Sequence, residues 1–150
     1  MPNEIYNIIF NSDIGTGATP NEMFFFDWSI LPDQPYYVSF TFTSSVANLT
    51  NTSVCNIFLD LGCCTTFLAS SATSNTSFNS MYLGSLRVSG TGANNILVAA
   101  EQDNTPLYLN CRPNNNNINM QFHQNLITQM TDYAPAPVRY TMSLCFRAVS

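Results

Sequence analysis

The sequence predicts an all-β protein, and three observations lead to that prediction. Apolar and polar residues alternate from Tyr36 to Thr43 and from Val138 to Ala148, which is the period-two pattern of a strand with one buried face. Other short apolar runs are separated by Gly, Pro and Asn turns. The 19 Asn, 15 Ser and 15 Thr residues suit turns and wet strand faces and disfavour helix interiors.

In the first half of the chain, short apolar runs predict strands at about 4–10, 22–28, 36–44 and 53–61, with a short one at about 64–69. Gly15, Gly17 and Pro20 interrupt the chain between the first two strands. A turn with Pro32 and Pro35 precedes the third strand. The polar stretches at about 45–52 and 70–78 are predicted to be loops.

In the second half, strands are predicted at about 80–89, 96–101, 106–112, 118–127 and 138–148. The run ILVAAE is apolar throughout, as in a central strand, whereas the run from 118 alternates and places His123 on the polar face. Asn114 to Asn117 form a turn or loop after Pro113.

Eight to ten short strands in a chain of 150 residues indicate one domain, 1–150, built as a sandwich or barrel. Long crossings at about 11–21, 70–78 and 128–137 favour Greek-key connections. We therefore expect a single jelly-roll β-sandwich of about eight antiparallel strands. An immunoglobulin-type sandwich is the alternative, but Trp28 precedes every cysteine, which breaks the Cys…Trp…Cys order of that fold.

The charge composition argues against nucleic acid and anionic membranes as partners. The chain has no lysine, four arginines and nine carboxylates, for a net charge of −5, whereas nucleic-acid binding needs several cations on one surface. No apolar segment is long enough to span a bilayer, and the N-terminus lacks a basic signal region. We expect a soluble protein made in the cytoplasm, whose low charged fraction of 9% leaves little protection against association.

The sequence has few residues in patterns typical of active sites, and we predict no catalytic residue, cofactor or metal. His123 is the only histidine and is expected to be solvent-exposed; a pair with Cys111 or Cys145, as in a small hydrolase, is the alternative. The five cysteines have no CxxC spacing and are expected to be reduced. Carboxylates near strand ends suit loop capping better than calcium binding; they are Asp13, Asp27, Asp33, Asp60, Glu101, Asp103 and Asp132.

Two further patterns remain open on sequence grounds. Glycosylation sequons occur at Asn48, Asn51 and Asn75, all in predicted loops. Exposed tyrosines are candidates for a sugar-binding platform, although such residues more often pack sheets or line interfaces. The candidates are Tyr36, Tyr37, Tyr82, Tyr108 and Tyr140.

One block resembles a known family. In FFFDWSILPDQPYYVSFTFTSS an aromatic strand leads into a W-S-x-L-P turn, and a Y-x-V-x-F-x-F strand follows. This block, with the C-terminal piece from Asp132 and Tyr133 through Tyr140 to Phe146, resembles the single-jelly-roll minor capsid proteins of large icosahedral double-stranded DNA viruses, of phycodnavirus or mimivirus type. The resemblance covers roughly a third of the chain.

The resemblance implies a non-enzymatic minor capsid protein that links or spaces the capsomers of a virus shell, located in the virion capsid. Its partners would be the major capsid protein, other minor capsid proteins or copies of itself. A carbohydrate-binding jelly roll is the alternative function. Loops 11–21, 45–52, 70–78 and 113–117 are the expected contact surfaces. The expected core anchors are Trp28, Tyr36, Val38, Phe40, Phe42, Tyr140, Leu144 and Phe146.

Overall fold

A computed structural model shows a nearly all-β chain. It describes residues 4–12, 21–46, 55–63, 66–68, 76–78, 80–89, 95–100, 106–124, 128–129 and 139–150. Within these residues the chain forms twelve strands and one turn of 3-10 helix, Trp28–Ile30. The strands are β1 (Ile5–Asn11), β2 (Asn21–Phe25), β3 (Tyr36–Val46), β4 (Cys55–Leu59), β5 (Thr66–Leu68), β6 (Thr76–Phe78), β7 (Met81–Ser89), β8 (Asn95–Ala100), β9 (Leu107–Leu109), β10 (Asn117–Gln124), β11 (Thr128–Gln129) and β12 (Arg139–Ala148).

Most strands belong to two antiparallel rows. In the first row β1 pairs with β12, β12 with β3, and β3 with β9 at one end and β8 at the other. In the second row β2 pairs with β10, β10 with β4, and β4 with β7. Pairing of β7 with β8 joins the rows. The short β11 extends β10, and β5 pairs with β6 as a separate hairpin.

Side-chain contacts show that the two rows face each other. Phe10 of β1 meets Phe24 of β2 with ring centroids 5.2 Å apart. Phe42 of β3 meets Phe122 of β10 at 5.9 Å. Neither contact joins hydrogen-bonded neighbours, so the rings cross the space between the rows. The prediction of an all-β antiparallel sandwich is confirmed.

The core lies between the rows and follows the alternation of the strands. On β3 from Tyr36 to Phe42 and on β12 from Tyr140 to Phe146 every second side chain is buried, because successive residues of a strand point to opposite faces. The second row adds Ile118, Met120 and Phe122 from β10, with Ile57 and Leu59 from β4. All eight side chains expected in the core are buried: Trp28, Tyr36, Val38, Phe40, Phe42, Tyr140, Leu144 and Phe146.

The predicted strand at 22–28 ends earlier than expected, at Phe25. Asp27 stops it, because its side chain accepts a hydrogen bond of 3.0 Å from the backbone N–H of Ser29 and caps the 3-10 turn. The guanidinium of Arg112 then donates to the carbonyl of Leu31 at 2.8 Å. Local side-chain bonds therefore replace the strand ladder at this point.

Two other predicted boundaries also shift. The predicted loop at 70–78 contains β6, which pairs with β5. The crossing predicted at 128–137 begins with β11, which pairs with the end of β10. The crossing at 11–21 does join strands of opposite rows, although residues 13–20 lie outside the described residues.

Trp28 lies at the centre of the side-chain packing at one end of the sandwich. Its indole is 1% exposed and contacts the rings of Phe26 at 4.7 Å and Phe146 at 5.4 Å. Its Nε1 donates to the carbonyl of Asn115 at 2.9 Å, which satisfies its one polar atom. The W-S-x-L-P turn is thus held by apolar packing and by a loop nearly 90 residues away in sequence.

The asparagine run at 114–117 is hydrogen-bonded to the rest of the fold. The backbone N–H groups of Asn114 and Asn115 both donate to the carbonyl of Leu61, at 3.0 and 3.2 Å. Gly62 has a φ of +79°, and a Cβ there would lie 2.0 Å from Oδ1 of Asn114. Only glycine adopts this backbone at low cost and leaves room for the run.

We expect Trp28→Ala to lower the free energy of unfolding by about 3–5 kcal/mol, because it removes a large buried side chain. Ile30→Ala is the matched control, since Ile30 lies in the same turn but is 66% exposed; its cost should stay within about 0.5 kcal/mol. Urea denaturation followed by fluorescence or circular dichroism measures both. A loss below about 1 kcal/mol for Trp28→Ala would contradict the assignment of Trp28 to the core.

Gly62→Ala should cost more than about 1 kcal/mol, because alanine disfavours positive φ and the added Cβ meets the asparagine run. The double variant Gly62→Ala with Asn114→Ala should recover only part of that loss. The backbone N of Asn115, 3.0 Å from the added Cβ, would still be crowded. Full recovery in the same denaturation assay would show that the Asn114 side chain was the whole cause.

Candidate interaction surface

The outer face of the first row carries a line of exposed side chains that we call the outer row: Ile5, Arg147, Tyr37 and Tyr108. Strand register places them side by side, since Ile5 pairs with Arg147, Arg147 with Tyr37, and Tyr37 with Tyr108. Each alternates with a side chain turned toward the core. The outer row therefore crosses four strands, β1, β12, β3 and β9.

The chemistry of the outer row is that of a contact surface. Tyr37 and Tyr108 are 41% and 54% exposed, and their ring centroids lie 5.6 Å apart. Arg147 is exposed beside them. Tyrosine and arginine are enriched where proteins bind one another, because each combines a large apolar area with directional hydrogen bonding.

A second group of exposed apolar side chains, which we call the open edge, lies where β1 and β2 flank the sandwich. Ile9 on β1 points outward from the first row, and Met23 and Phe25 on β2 point outward from the second row. Phe25 is 74% exposed. Within the described residues each of these strands pairs on one side only, β1 with β12 and β2 with β10. Exposed apolar side chains beside unpaired backbone form a favourable place for association.

A buried carboxyl group lies behind the open edge. Glu22 of β2 points into the sandwich, where it accepts a hydrogen bond from the hydroxyl of Tyr140. Burial raises the pKa of Glu22, although the bond to Tyr140 opposes that change. Burial and the neighbouring carboxylate both raise the pKa of Tyr140, which keeps its hydroxyl protonated as the donor.

The outer face of the second row is buried around His123, contrary to the sequence prediction for that residue. The ring of His123 is 6% exposed and contacts Phe58 with centroids 4.9 Å apart. Its Nε2 lies 3.2 Å from Oε1 of Gln121, and burial lowers the pKa of the imidazole. The prediction of a solvent-exposed histidine was wrong: His123 packs against Phe58, which is itself fully buried on the neighbouring strand β4.

A small network of hydrogen-bonded polar side chains lies beside His123 on the same face of the second row. The Ser85 hydroxyl donates to Oδ1 of Asn56 at 2.7 Å, and the Tyr82 hydroxyl lies 2.7 Å from Ser85 Oγ. The amide of Asn56 reaches the carbonyl of His123 at 3.5 Å. These bonds satisfy polar groups within a covered sheet face, so the network is part of the packing.

Some of the groups weighed for catalysis or metal binding lie apart or have structural roles, whereas Asp13, Glu101, Asp103 and Asp132 lie outside the described residues. Cys145 lies on the outer face of the first row and His123 on that of the second, so the sandwich separates them. Asp27 caps the 3-10 turn, and Asp60 accepts from the N–H of Gly62 at 3.1 Å. Within the described residues no three His, Cys, Asp or Glu side chains come together as a metal site.

The tyrosines proposed for a sugar platform divide into two groups. Tyr36 and Tyr140 are buried and Tyr82 is half-buried. Only Tyr37 and Tyr108 of the five are exposed, and they lie together. The sequence could not show this, because the pairing of β3 with β9 brings them together.

Most of the expected contact loops, including the sequons at Asn48, Asn51 and Asn75, lie outside the described residues. The exception is 113–117, where Asn114, Asn116 and Asn117 are exposed although the backbone is fastened internally. In the described ranges no helix has the length and apolar character needed to cross a membrane.

Comparison with protein-family models, curated proteins and solved structures finds no match for this chain.

We expect the stability conferred at Glu22 to fall as pH rises above the ordinary glutamate value of 4.5. Above that pH the unfolded chain loses its proton while the folded chain, with its raised pKa, retains it, so the folded state becomes relatively less favourable. Glu22→Gln should therefore gain stability over the wild type as pH rises above 4.5.

Denaturation with urea at a series of pH values measures the difference between Glu22→Gln and wild type. Glu4→Gln is the control, because Glu4 is an exposed glutamate. Comparison of the two variants isolates the effect of burying the Glu22 carboxyl group. A Glu22→Gln difference that shrinks as pH rises would contradict the raised pKa of Glu22.

Proposed function

We propose that the chain is a non-enzymatic structural subunit of a large icosahedral virus shell, a single-jelly-roll minor capsid protein. It links or spaces the capsomers of the major capsid protein through protein–protein contacts, alongside other minor capsid proteins or copies of itself. It is made in the host cytoplasm and resides in the virion capsid. Nucleic acid and membrane insertion have no part in this role.

The strand order supports the jelly-roll interpretation. Taking β8 and β9 together and setting aside β5, β6 and β11, eight strands remain. Numbered along the chain, they fall in the order 1, 8, 3, 6 in the first row and 2, 7, 4, 5 in the second. Two Greek keys wound in this way are the arrangement of a jelly roll.

The outer row is the observation that best supports a role in protein–protein contact. Because a fold by itself does not define a function, the site has to supply the argument. Four exposed side chains with the chemistry of an interface lie on one line across a rigid sheet. Such a line suits a neighbouring subunit that lies along the sheet.

The segments that carry the family resemblance also pack against each other. The W-S-x-L-P turn and the closing strand, which carry the resemblance, contact each other through Trp28 and Phe146. They form one packed unit behind the outer row, since Phe146 and Arg147 are adjacent residues of β12 with opposite orientations. The resemblance therefore rests on residues that support the proposed contact surface.

Quantitative mass spectrometry of density-purified particles from the source tests the proposal. We expect a fixed ratio of this chain to the most abundant capsid protein. Absence of the chain from purified particles would overturn the proposal.

A variant tests the role of the outer row. We expect the double variant Tyr37→Ser with Tyr108→Ser to lower incorporation into particles at least about tenfold, or about 1.4 kcal/mol of binding free energy. Ser39→Ala with Thr41→Ala is the control, because these residues lie on the same face of β3 away from the outer row. Equal incorporation of both variants would remove the outer row from the proposal.

The exposed Tyr37–Tyr108 pair also favours a second candidate function, a carbohydrate-binding jelly roll. Two tyrosine rings on a sheet face can stack against a sugar ring. A glycan array tests this candidate: a signal that Tyr108→Ala abolishes would support it, and no signal would remove it.

A further inference from the structure

We propose that two copies of this chain associate by pairing their β1 strands, antiparallel, about a two-fold axis at Asn7. The first row of one copy would then continue into the first row of the other, as β9-β3-β12-β1 joined to β1-β12-β3-β9. This inference does not depend on the proposed capsid role, and either can fail without the other.

The backbone of β1 is arranged for such pairing. The N–H of Ala148 donates to the carbonyl of Glu4, and the N–H of Ser12 donates to the carbonyl of Tyr140, both at 3.0 Å. Even-numbered residues of β1 therefore direct their backbone groups toward β12. Because these groups alternate sides along an antiparallel strand, those of the odd-numbered residues from Ile5 to Asn11 point away from β12.

No described strand pairs with that side of β1, and β1 lacks the features by which edge strands avoid association. Its sequence, IYNIIFN, contains no proline, lysine or other charged residue, and its register with β12 runs from Ile5 to Asn11 without a bulge. A second edge strand, β2, differs because the carboxyl group of Glu22 points inward there. An inward-pointing acidic residue is a recognised protection of sheet edges.

The outward side chains of β1 select a second copy as the partner. In an antiparallel pair centred on Asn7, Ile5 of each copy lies opposite Ile9 of the other, and Asn7 lies opposite Asn7. Both isoleucines are exposed in the single chain, Ile9 by 67%. Cross-strand pairs of β-branched residues are favourable. Because β1 has no charge of its own, the pairing brings no like charges into opposition.

The register is consistent with the hydrogen bonding. Ile5, Asn7 and Ile9 are all odd-numbered, so each pair in this register has its N–H and carbonyl groups directed at the other strand. A register shifted by two residues would set Ile9 opposite Asn7 and lose the contacts between isoleucines. The pairing centred on Asn7 satisfies the backbone and places both isoleucines of each copy in cross-strand contact.

Analytical ultracentrifugation of the full chain tests the proposal. We expect a reversible dimer whose dissociation constant rises at least tenfold in Ile9→Lys and in Asn7→Pro. Proline at 7 removes an N–H that points away from β12, so the fold should tolerate it. Ile30→Lys is the matched control, since Ile30 is equally exposed at 66% but lies outside β1; its dissociation constant should equal that of wild type.

Circular dichroism checks that each variant is folded, and a cross-link tests the register. In a hydrogen-bonded antiparallel pair the Cα atoms are about 5.5 Å apart, within disulfide range. Asn7→Cys should form a covalent dimer on mild oxidation. Asn11→Cys, which has no copy of itself opposite in this register, should not exceed the wild-type background from native cysteines.

Three results would overturn the proposal. One is a wild-type chain that remains monomeric at about 1 mM. Another is a dissociation constant that rises as much in Ile30→Lys as in Ile9→Lys. The third is cross-linking of Asn11→Cys as fast as that of Asn7→Cys.

Discussion

The ladder between β3 and β12 is the interaction on which the rest of the sandwich depends. Ten residue pairs join these strands, and Phe42 lies opposite Met142, one hundred residues further along the chain. Their inward side chains form the wall on which the second row packs, and their outward side chains supply Tyr37 and Arg147. A one-residue slip of either strand would exchange these two faces, so one register determines both the core and the contact surface.

The alternation of apolar residues was sufficient to predict β3, β12 and their buried face, because it reports which side of a strand meets the core. It failed on part of the second row, where side chains on both faces of a strand are buried. On β4 both Ile57 and Phe58 are fully buried, and His123 is covered as well. The continuous apolar run of β4 indicated a strand buried on both faces. The sequence around His123 did not indicate burial, since Asn119 and Gln121 on the same face are polar.

The W-S-x-L-P turn and the outer row mark two other limits of the sequence. Trp28 was expected in the core, yet the 3-10 turn that places it depends on the Asp27 cap and on Asn115, a distant residue. The outer row is defined only by register. Nothing along the chain relates Ile5 to Tyr108, and they share a line because β12 and β3 lie between them.

The position of β12 between β1 and β3 has a consequence for the timing of folding. β12 is synthesised after every other described strand, so the nascent chain holds β1 and β3 without their shared neighbour. At ribosomal rates of about 5–20 residues per second, the interval between β3 and β12 lasts on the order of 5–20 s. During this interval the apolar faces of Phe40 and Phe42 lack their partner strand. The first row therefore cannot be completed until β12 emerges from the ribosome.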